Sequence, residues 1–587
     1  MTGDRTAPEL ALRVLQQLWQ GGVRDVVLAP GSRSAPFALA LDAAERDGDL
    51  RLHVRVDERS AGFLALGLAT GSRRPVAVVT TSGTAVGNLL PAVMEAHHTG
   101  RRLVVVSADR PDRLRGTGAN QTTDQAGIFG TFAPCHDLTA ALPYEDLESV
   151  VAQACSRRGP THLNVQLDGD LMPSDPDPDT WWHRPEALQS HDSSAPAEVL
   201  RRQESSPGVA GSSGVEASVT IPTDGELLTL GPRTVVVAGD DAGPAARLLA
   251  EAAGWPLVAE PTSGARVGGQ VLRTGRLLLT TDLRDDVERV VVVGHPTLSR
   301  PVTSLISDPG LEVLSVRGRD GVATDPGRVA RMLDVVPRVD GPDDPAWFAA
   351  WRAADDRLST LIDAGLAAPH GDPARPPGDA GLSPLTVAAV VGAAVAADTS
   401  LVVGSSNPVR DLDVMAAPWP PHEHRFVVGN RGLAGIDGMV STAVGVALGR
   451  PRATRSIAYL GDLTFLHDTN GLLMGRGQRR PDLTFVVLSD DGGAIFSTLE
   501  QGDRRYAGAF ERVFATPHGT DLEALCAAHH TAYERVDDLE RLAAALAERP
   551  SGTRVLEVPV SRADRRAEAA WLRELARQVR QPRAARP

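Results

Sequence analysis

Residues 459–468 read Tyr459-Leu460-Gly461-Asp462-Leu463-Thr464-Phe465-Leu466-His467-Asp468, and a second acidic turn, Ser489-Asp490-Asp491-Gly492-Gly493, follows after an apolar run. Such a pair of turns, each ending a strand, suits a divalent cation held against a diphosphate, because these cations prefer carboxylate and carbonyl oxygens. Glycine lets the backbone approach the phosphates, and a helix that begins beyond Asp462 directs free N–H groups at them. The two turns therefore predict a Mg²⁺–diphosphate site at one edge of a parallel sheet.

Length and charge narrow the class of protein. A chain of 587 residues is too long for one core and predicts three or four domains. The net charge of −14 and the pI near 5.6 argue against a nucleic-acid partner, because such proteins usually carry a clustered basic excess. All 60 basic residues are arginine, which excludes a lysine Schiff base and a Walker P-loop. Carbanion chemistry would therefore need an electron sink other than pyridoxal phosphate.

The cysteines and the N-terminus favour a cytoplasmic protein. Cys135, Cys155 and Cys526 are scattered without CxxC spacing, so neither a disulfide framework nor a zinc site is predicted. The first twelve residues lack a basic region followed by an apolar core, and no apolar run reaches the length of a membrane span. We expect a soluble cytoplasmic protein without a membrane span.

Short β-branched runs alternate with helical patterns along most of the chain. This alternation indicates right-handed βαβ units and parallel sheets covered on both faces. The candidate strands are 25–29, 52–56, 76–80, 103–107 and 162–167, then 234–238 and 290–293, then 400–403, 425–428, 456–460, 483–488 and 553–558.

Shifts in composition divide the chain into domains. The predicted segments are a first α/β domain (1–175), a partly disordered linker with an insertion near 204–217 (176–230), a middle domain (231–340), a connector (341–382), a last α/β domain (383–562) and a tail that begins as a helix and then frays (563–587). The predicted fold class is α/β, with two similar parallel-sheet outer domains around a smaller α/β middle domain.

A further carboxylate, Glu58, lies at a junction between strand and helix, in Val54-Arg55-Val56-Asp57-Glu58-Arg59-Ser60-Ala61-Gly62-Phe63. A carboxylate there also suits a helix N-terminus without any further role. Together with the two acidic turns, however, it resembles the site of the thiamine diphosphate-dependent enzymes, in which one glutamate bonds N1′ of the cofactor's pyrimidine. The resemblance implies their three-domain fold, in the order pyrimidine-binding, middle and diphosphate-binding.

Within that superfamily the chain most closely resembles the 2-succinyl-5-enolpyruvyl-6-hydroxy-3-cyclohexene-1-carboxylate (SEPHCHC) synthase family of menaquinone biosynthesis, over almost its whole length. The segments that carry the resemblance are Ala29-Pro30-Gly31-Ser32-Arg33-Ser34-Ala35-Pro36, Asp57-Glu58-Arg59-Ser60-Ala61, Thr80-Thr81-Ser82-Gly83-Thr84-Ala85, Ser107-Ala108-Asp109-Arg110-Pro111, Gly118-Ala119-Asn120-Gln121, Asn430-Arg431-Gly432 and Gly435-Ile436-Asp437-Gly438.

The resemblance implies a transferase that uses thiamine diphosphate with Mg²⁺ or Mn²⁺. In that reaction 2-oxoglutarate is decarboxylated, and the resulting succinic semialdehyde carbanion adds to isochorismate in a Stetter-like 1,4-addition. Both substrates are dianions, so several arginines in one pocket suit them.

The resemblance also implies the residues that bind the cofactor and the metal. Glu58 is the catalytic residue, and Ile436 would hold the cofactor in its bent conformation. The cofactor residues are Glu58, Ser406, Gly435, Ile436, Gly461, Asp462, Leu463, Thr464 and Ile495, and the metal ligands are Asp462, Asp490 and Gly492. The second metal position is usually asparagine in the superfamily, whereas this turn reads Ser489-Asp490-Asp491, so Asp490 or a neighbour takes that place.

Two groups of residues are implied for the substrates. Ser406, Arg410 and Arg431 would hold the succinyl carboxylate. The residues on the isochorismate side are Ser32, Arg33, Arg110, Asn120 and Gln121, with Arg300 of the middle domain as a further candidate and with Phe496 and Leu499 lining the pocket.

The family pattern brings Glu58 of one subunit to Asp462 of the partner subunit, which implies a homodimer or a dimer of dimers. Two alternatives stay open: another thiamine diphosphate carboligase or decarboxylase, such as an acetohydroxyacid synthase, and a non-catalytic regulatory paralogue. The arginine-rich motifs disfavour the first, because pyruvate needs only one carboxylate partner. The presence of Glu58 and Asp462, without a GxGxxG motif after any strand, disfavours the second.

Overall fold

The computed structural model describes residues 5–185, 224–376, 382–420, 423 and 425–579. It contains three parallel sheets with helices packed around them, which confirms the predicted α/β fold class. The insertion predicted near residues 204–217 lies outside the described residues. Within the described part of the chain, no helix is both long and apolar enough to cross a membrane.

The first sheet has six strands in the order β2-β1-β3-β4-β6-β5. Its strands are β1 (Asp25–Leu28), β2 (Arg51–Val54), β3 (Val76–Thr80), β4 (Leu103–Asp109), β5 (Cys135–Leu138) and β6 (Thr161–Gln166). Its helices are α1 (Ala7–Gln20), α2 (Ala35–Arg46), α3 (Glu58–Ser72), α4 (Thr84–Gly87), α5 (Leu90–His98) and α6 (Tyr144–Ser156).

The middle sheet has five strands in the order β11-β10-β9-β7-β8. Its strands are β7 (Thr234–Ala238), β8 (Leu257–Ala259), β9 (Arg289–Val293), β10 (Glu312–Val316) and β11 (Arg331–Leu333). The helices of this region are α7 (Pro244–Ala253), α8 (Gly275–Leu278), α9 (Arg300–Ile306) and the long α10 (Pro345–Ala367) that follows it.

The third sheet has six strands in the order β13-β12-β14-β15-β17-β16. Its strands are β12 (Thr399–Val403), β13 (Phe426–Val428), β14 (Arg455–Gly461), β15 (Leu483–Ser489), β16 (Ala532–Arg535) and β17 (Thr553–Pro559). Its helices are α11 (Pro384–Ala394), α12 (Asn407–Met415), α13 (Met439–Gly449), α14 (Asp462–His467), α15 (Ala507–Phe510), α16 (Leu522–Ala528), α17 (Leu539–Ala547) and α18 (Arg565–Gln578).

Most of the predicted connector is helical. Trp351, Leu358 and Ile362 of α10 are fully buried, and their spacing places them on one face of the helix. That apolar face packs into the core that also includes the middle and third sheets. The helix α18 lies in the predicted helical tail, whose expected frayed end (580–587) falls outside the described residues. The exact domain boundaries stay predictions.

The helices α3 and α13 join the first and third domains by close backbone contact. A β-carbon on Gly67 would lie 2.2 Å from the carbonyl oxygen of Thr442, and one on Gly445 would lie 2.3 Å from that of Leu64. Only glycine allows helices to approach so closely. This packing holds the start of α3, where Glu58 lies, against the third domain.

Candidate active site

Two acidic side chains meet at the carboxyl ends of the neighbouring parallel strands β14 and β15. Asp462 is the first residue of α14, and Asp490 directly follows β15. The Oδ2 of Asp462 accepts hydrogen bonds from the backbone N–H of Asp490 (3.0 Å) and of Gly492 (3.1 Å). The Oδ1 of Asp490 is buried and has no hydrogen-bond partner among the described residues.

The electrostatics of this pair suit a bound cation. Burial raises the pKa of Asp490 to about 8, and the charge of Asp462 adds to the effect. Burial also raises the pKa of Asp462, against the hydrogen bonds from Leu463 and Gly492 and the attraction of His518. A divalent cation would offset the cost of two buried negative charges and give the free oxygen of Asp490 a partner.

The number of protein ligands fits magnesium rather than a closed protein cage. The described residues contain no group of three or more His, Cys, Asp or Glu side chains that could hold a metal ion. Mg²⁺ usually takes one or two carboxylates and completes its shell with phosphate oxygens and water. Of the two candidate acids in the turn, Asp491 instead accepts from the backbone N–H of His518 (3.0 Å) and Gly519 (2.8 Å). This geometry favours Asp490 as the second ligand.

The backbone beside the acidic pair leaves room for a diphosphate. Apart from Gly461 itself and its two chain neighbours, no atom of the described residues lies within 4 Å of where a β-carbon on Gly461 would stand, so the space there is open. Gly492 has φ +145°, and a β-carbon there would lie 2.2 Å from the carbonyl oxygen of Ala515, so this turn requires glycine. Leu463 and Thr464 continue α14 directly behind the acidic residue.

Glu58 is the first residue of α3, as the junction between strand and helix predicts. Its Oε2 accepts a hydrogen bond from Nδ2 of Asn88 (3.4 Å). The neighbouring residues tie this turn to the third domain: Asp57 accepts from Asn470 (2.8 Å), and Ser60 donates to Asp468 (2.8 Å). Asp57 and Ser60, on either side of the half-buried Glu58 in the sequence, therefore hold this turn against the third domain.

The predicted apolar cofactor residues lie in two loops of the third domain. Gly435 and Ile436 are in the loop between β13 and α13, and Ile495, Phe496 and Leu499 follow β15. All five are partly buried. Gly435 also lines a cavity of about 200 Å³ between the first and third domains. The two loops therefore offer apolar side chains that are not committed to the core.

Two arginines of the third domain lie close enough to repel each other. Burial, together with the positive charge of Arg431, lowers the pKa of Arg410 to about 10. Arg410 donates to the carbonyl oxygen of Ser406 (2.7 Å), and the buried Arg431 donates to Ser405 Oγ (3.2 Å) and to Thr297 Oγ1 (2.5 Å). Ser406 has φ 73°, a conformation that is uncommon for a residue with a side chain and is typical of functional sites. A bound anion such as a carboxylate would offset the repulsion between these two buried like charges.

A second basic group lies at the strand ends of the first sheet. Arg110 follows β4 and donates to Ser82 Oγ. Ser82 Oγ in turn donates to the carbonyl oxygen of Gln121 (3.0 Å), and Gln121 Nε2 donates to that of Ser82 (2.8 Å). Burial and the neighbouring Arg110 lower the pKa of Arg33, which donates to the Leu167 carbonyl (3.0 Å). The structure thus brings the two predicted arginines together with Gln121.

Three further predicted substrate residues have exposed side chains. Ser32 and Asn120 are exposed. Arg300 begins α9 and forms a two-pronged ion pair with Glu500 (2.7 and 2.9 Å), with 73 % of its side chain exposed. Arg300 therefore reaches from the middle domain to the third domain, and its substrate role stays a prediction.

Sequence reasoning missed several residues that surround Arg431. They are Glu95 of α5, Glu260 and Thr297 of the middle domain, and Ser405 beside the predicted Ser406. None lies in a motif of its own, and only Ser405 had a local signal, its place next to a predicted residue. The others come from distant parts of the chain.

Comparison with known proteins agrees with this geometry. Residues 8–128 match the family model described as "Thiamine pyrophosphate enzyme, N-terminal TPP binding domain". Residues 414–558 match the corresponding C-terminal TPP binding domain. The first match contains β1–β4 of the first sheet, and the second contains β13–β16 and most of β17 of the third sheet. Together with the acidic pair and Glu58, the two matches define a thiamine diphosphate-dependent enzyme.

Full-length relatives identify the family within that class. The chain is 50 % identical to a 2-succinyl-5-enolpyruvyl-6-hydroxy-3-cyclohexene-1-carboxylate synthase of Nocardioides sp., over 96 % of this chain and 98 % of the relative. Synthases of the same name from Kineococcus radiotolerans and Nocardia farcinica are 46 % and 43 % identical, each over 94 % of this chain and 96 % of the relative. The chain belongs to the SEPHCHC synthase family of menaquinone biosynthesis. These relatives give no support to the acetohydroxyacid synthase alternative.

Proposed function

We propose that the protein decarboxylates 2-oxoglutarate and adds the four-carbon product to isochorismate, releasing CO₂ and SEPHCHC. The observation that carries this proposal is the presence of two arginine groups in different domains, Arg33 with Arg110 in the first domain and Arg410 of α12 with Arg431 in the third. Two dianionic substrates require two such groups. One oxo-acid substrate with a single carboxylate would leave one group unused.

Thiamine diphosphate, when bound, supplies a nucleophilic carbon and an electron sink for the charge left by the departing CO₂. The chain's own residues would hold the cofactor by its two ends. Asp462, Asp490 and the Gly492 carbonyl would bind Mg²⁺ or Mn²⁺ against the diphosphate, beside the open space at Gly461. At the other end, the carboxylate of Glu58 would exchange a proton with N1′ of the pyrimidine.

The basic groups would orient the substrates. Arg410 and Arg431, with Ser406, would bind the carboxylate of 2-oxoglutarate that stays on the product, because guanidinium groups fit carboxylates in a two-pronged manner. Isochorismate would bind to Arg33 and Arg110. Its further contacts would come from Ser32, Asn120, Gln121 and Arg300, with Phe496 and Leu499 along the apolar wall.

The active unit is proposed to be a homodimer, or a dimer of dimers, with sites shared between subunits. Two exposed apolar side chains support a partner surface near the site: Val56, next to the turn that carries Glu58, is 73 % exposed, and Leu433, beyond Arg431, is 48 % exposed. The three cysteines are free, which suits a reducing compartment, and we propose the cytoplasm.

The function is tested with the purified protein. Mass spectrometry under native conditions should detect bound thiamine diphosphate, and incubation with 2-oxoglutarate and isochorismate should yield SEPHCHC. Turnover of pyruvate in place of 2-oxoglutarate would instead indicate another carboligase. Retained cofactor without any turnover would indicate a regulatory paralogue.

Shared sites are tested by co-expressing the variants Glu58→Gln and Asp462→Ala. Each variant alone should be nearly inactive. In a mixed dimer with shared sites, Glu58 and Asp462 of the opposite subunits form one intact site. Random pairing should therefore restore about a quarter of wild-type activity. No restoration, with mixed dimers demonstrated by mass, would show that each site lies within one subunit.

A further inference from the structure

The loop that carries Arg431 is held by all three domains. Its guanidinium bonds Ser405 of the third domain (3.2 Å) and Thr297 of the middle domain (2.5 Å). The two residues that follow it, Gly432 and Leu433, donate their backbone N–H groups to the two carboxylate oxygens of Glu95 in α5 (2.7 and 2.8 Å). Arg431 therefore lies where the three domains meet.

The middle-domain contact has its own support. One carboxylate oxygen of Glu260, Oε1, accepts from the backbone N–H of Thr297 and from that of Leu298, both at 2.9 Å. Glu260 is 4 % exposed, and its other oxygen has no hydrogen-bond partner among the described residues. The two hydrogen bonds from successive backbone N–H groups to Glu260 fix the turn that presents the Thr297 hydroxyl to Arg431.

We propose that Glu95 and Glu260 are positioning residues, which set the guanidinium of Arg431 for the 2-oxoglutarate carboxylate from two different domains. The inference rests on the proposed function and adds residues that the family motifs do not contain. Neither glutamate is proposed to contact the substrate. Glu260 acts through the backbone N–H of Thr297, whose hydroxyl bonds Arg431. Glu95 acts through the backbone N–H groups of Gly432 and Leu433, which directly follow Arg431.

The contacts of Glu95, Thr297 and Ser405 form a clamp on Arg431 and its loop, and this clamp should make substrate binding less costly. A free arginine side chain samples many rotamers, and ordering it on binding costs free energy. Hydrogen bonds made before the substrate arrives remove that cost from the binding step. Loss of the clamp should therefore weaken 2-oxoglutarate binding more than the chemistry that follows.

The sharpest test compares two substitutions of Thr297. Thr297→Val keeps the shape but removes the hydroxyl that bonds Arg431, and we expect its KM for 2-oxoglutarate to rise about tenfold. Thr297→Ser keeps the hydroxyl and should stay within about twofold of wild type. The KM for isochorismate should change in neither variant. Glu260→Ala and Glu95→Ala should raise the KM for 2-oxoglutarate in the same selective way.

Asp355→Ala is the matched control for the two glutamate variants. Asp355 is also a buried acidic side chain that accepts from two successive backbone N–H groups, those of Arg273 (3.1 Å) and Thr274 (2.7 Å). Within the described part of the chain, it has no hydrogen bond to the loop that carries Arg431. This variant should lower the melting temperature without changing the KM for 2-oxoglutarate.

Three outcomes decide the inference. A normal KM for 2-oxoglutarate in Thr297→Val would overturn it, as would an equal rise for both substrates, which indicates general loosening. If Glu260→Ala does not fold, the Thr297 pair still decides. A wild-type enzyme that does not consume 2-oxoglutarate would overturn the proposed function first, and this inference with it.

Discussion

The first and third sheets have the same topology but carry opposite charges at corresponding strand ends. Their strand orders, β2-β1-β3-β4-β6-β5 and β13-β12-β14-β15-β17-β16, become identical when β1–β6 are matched to β12–β17. The strand β4 is followed by Arg110, and its counterpart β15 is followed by Asp490. The outer strand β2 leads to Glu58, and its counterpart β13 leads to Arg431.

This difference shows that the shared fold supplies positions rather than chemistry. In a parallel sheet the carboxyl ends of the strands collect at one edge, where any side chain can be placed. The third sheet uses its central positions for carboxylates that suit a cation, and the first uses them for arginine and hydroxyl groups that suit an anion. Function therefore follows from the strand-end residues and not from the topology.

The largest effect is expected from substituting Glu58, because this residue would give the first domain a catalytic role in addition to anion binding. Glu58→Gln keeps the size of the side chain but removes the exchangeable proton, so turnover should fall on the order of a hundredfold or more. Fold and cofactor binding should persist, as circular dichroism and native mass spectrometry would show. Near-normal turnover would mean that the first domain contributes only binding.

The next largest effect is expected at the acidic strand ends of the third sheet. Asp462→Ala removes a hard ligand, and even outer-shell partners of metal ligands typically contribute about 10–100-fold in metal affinity, so at least a tenfold weaker retention of Mg²⁺ and diphosphate is expected. Excess metal should restore part of the activity. The control is Asp491→Asn, since that side chain bonds the backbone of His518 and Gly519. Unchanged cofactor retention in Asp462→Ala, measured without added metal, would place the cation elsewhere.

Substitutions in the two arginine groups should affect different substrates. Losing one charge-assisted carboxylate contact typically costs about 1.5–3 kcal/mol, which is roughly tenfold to a hundredfold. Arg33→Ala or Arg110→Ala should raise the KM for isochorismate while 2-oxoglutarate still reacts with the cofactor. Arg410→Ala should slow that first step, and so should Arg431→Ala. Single-turnover spectra with 2-oxoglutarate alone distinguish the two groups, and a defect confined to Arg33→Ala would show that they are reversed.

The smallest effect is a pH dependence of stability near Arg431. Burial raises the pKa of Glu260 to about 8 from an ordinary 4.5, although Arg431 opposes the shift and Asp413 adds to it. Between these values the folded protein holds a proton that the unfolded chain releases, so stability falls as pH rises. Gln cannot ionise, so Glu260→Gln should gain about 1 kcal/mol relative to wild type between pH 6 and pH 7.

Thermal midpoints of both proteins at the two pH values measure this difference. The comparison of variants isolates Glu260 from other buried acids such as Asp240, whose pKa burial raises to about 7. No change in the relative stability of Glu260→Gln between pH 6 and pH 7 would mean that Glu260 is already ionised in the folded protein and paired with Arg431. In that case the third domain would balance its basic group with a charge from the middle domain.

Sequence patterns predicted the central strands of the first and third sheets because of how parallel sheets are buried, although the buried strand β10 (Glu312–Val316) of the middle sheet was not predicted. Strands covered on both faces consist of nearly continuous apolar runs, and the prediction 234–238 matches β7 (Thr234–Ala238). The edge strands β5 (Cys135–Leu138) and β16 (Ala532–Arg535) were missed. They are partly exposed and polar, so they lack that signal, and they form only because a buried strand offers its backbone on one side.

The acidic turns and Glu58 were also accessible from sequence, because each lies directly after a recognisable strand. Their positions at one sheet edge follow from strand order, and the motifs around them mark the family. In this respect the sequence by itself determined the fold class, the cofactor and the family of the protein.

Only the tertiary structure decided how the substrate arginines are held. Glu95 bonds a residue 337 positions away, and Arg431 reaches Thr297 across 134 positions. Arg565 of α18 likewise forms a buried ion pair with Asp411, next to Arg410 in α12. Such contacts depend on how three separately patterned domains pack, and local spacing carries no information about partners so distant in the chain. The physical reason is that strands and turns form from neighbouring residues, whereas a buried charge acquires its partner only when the domains close around it.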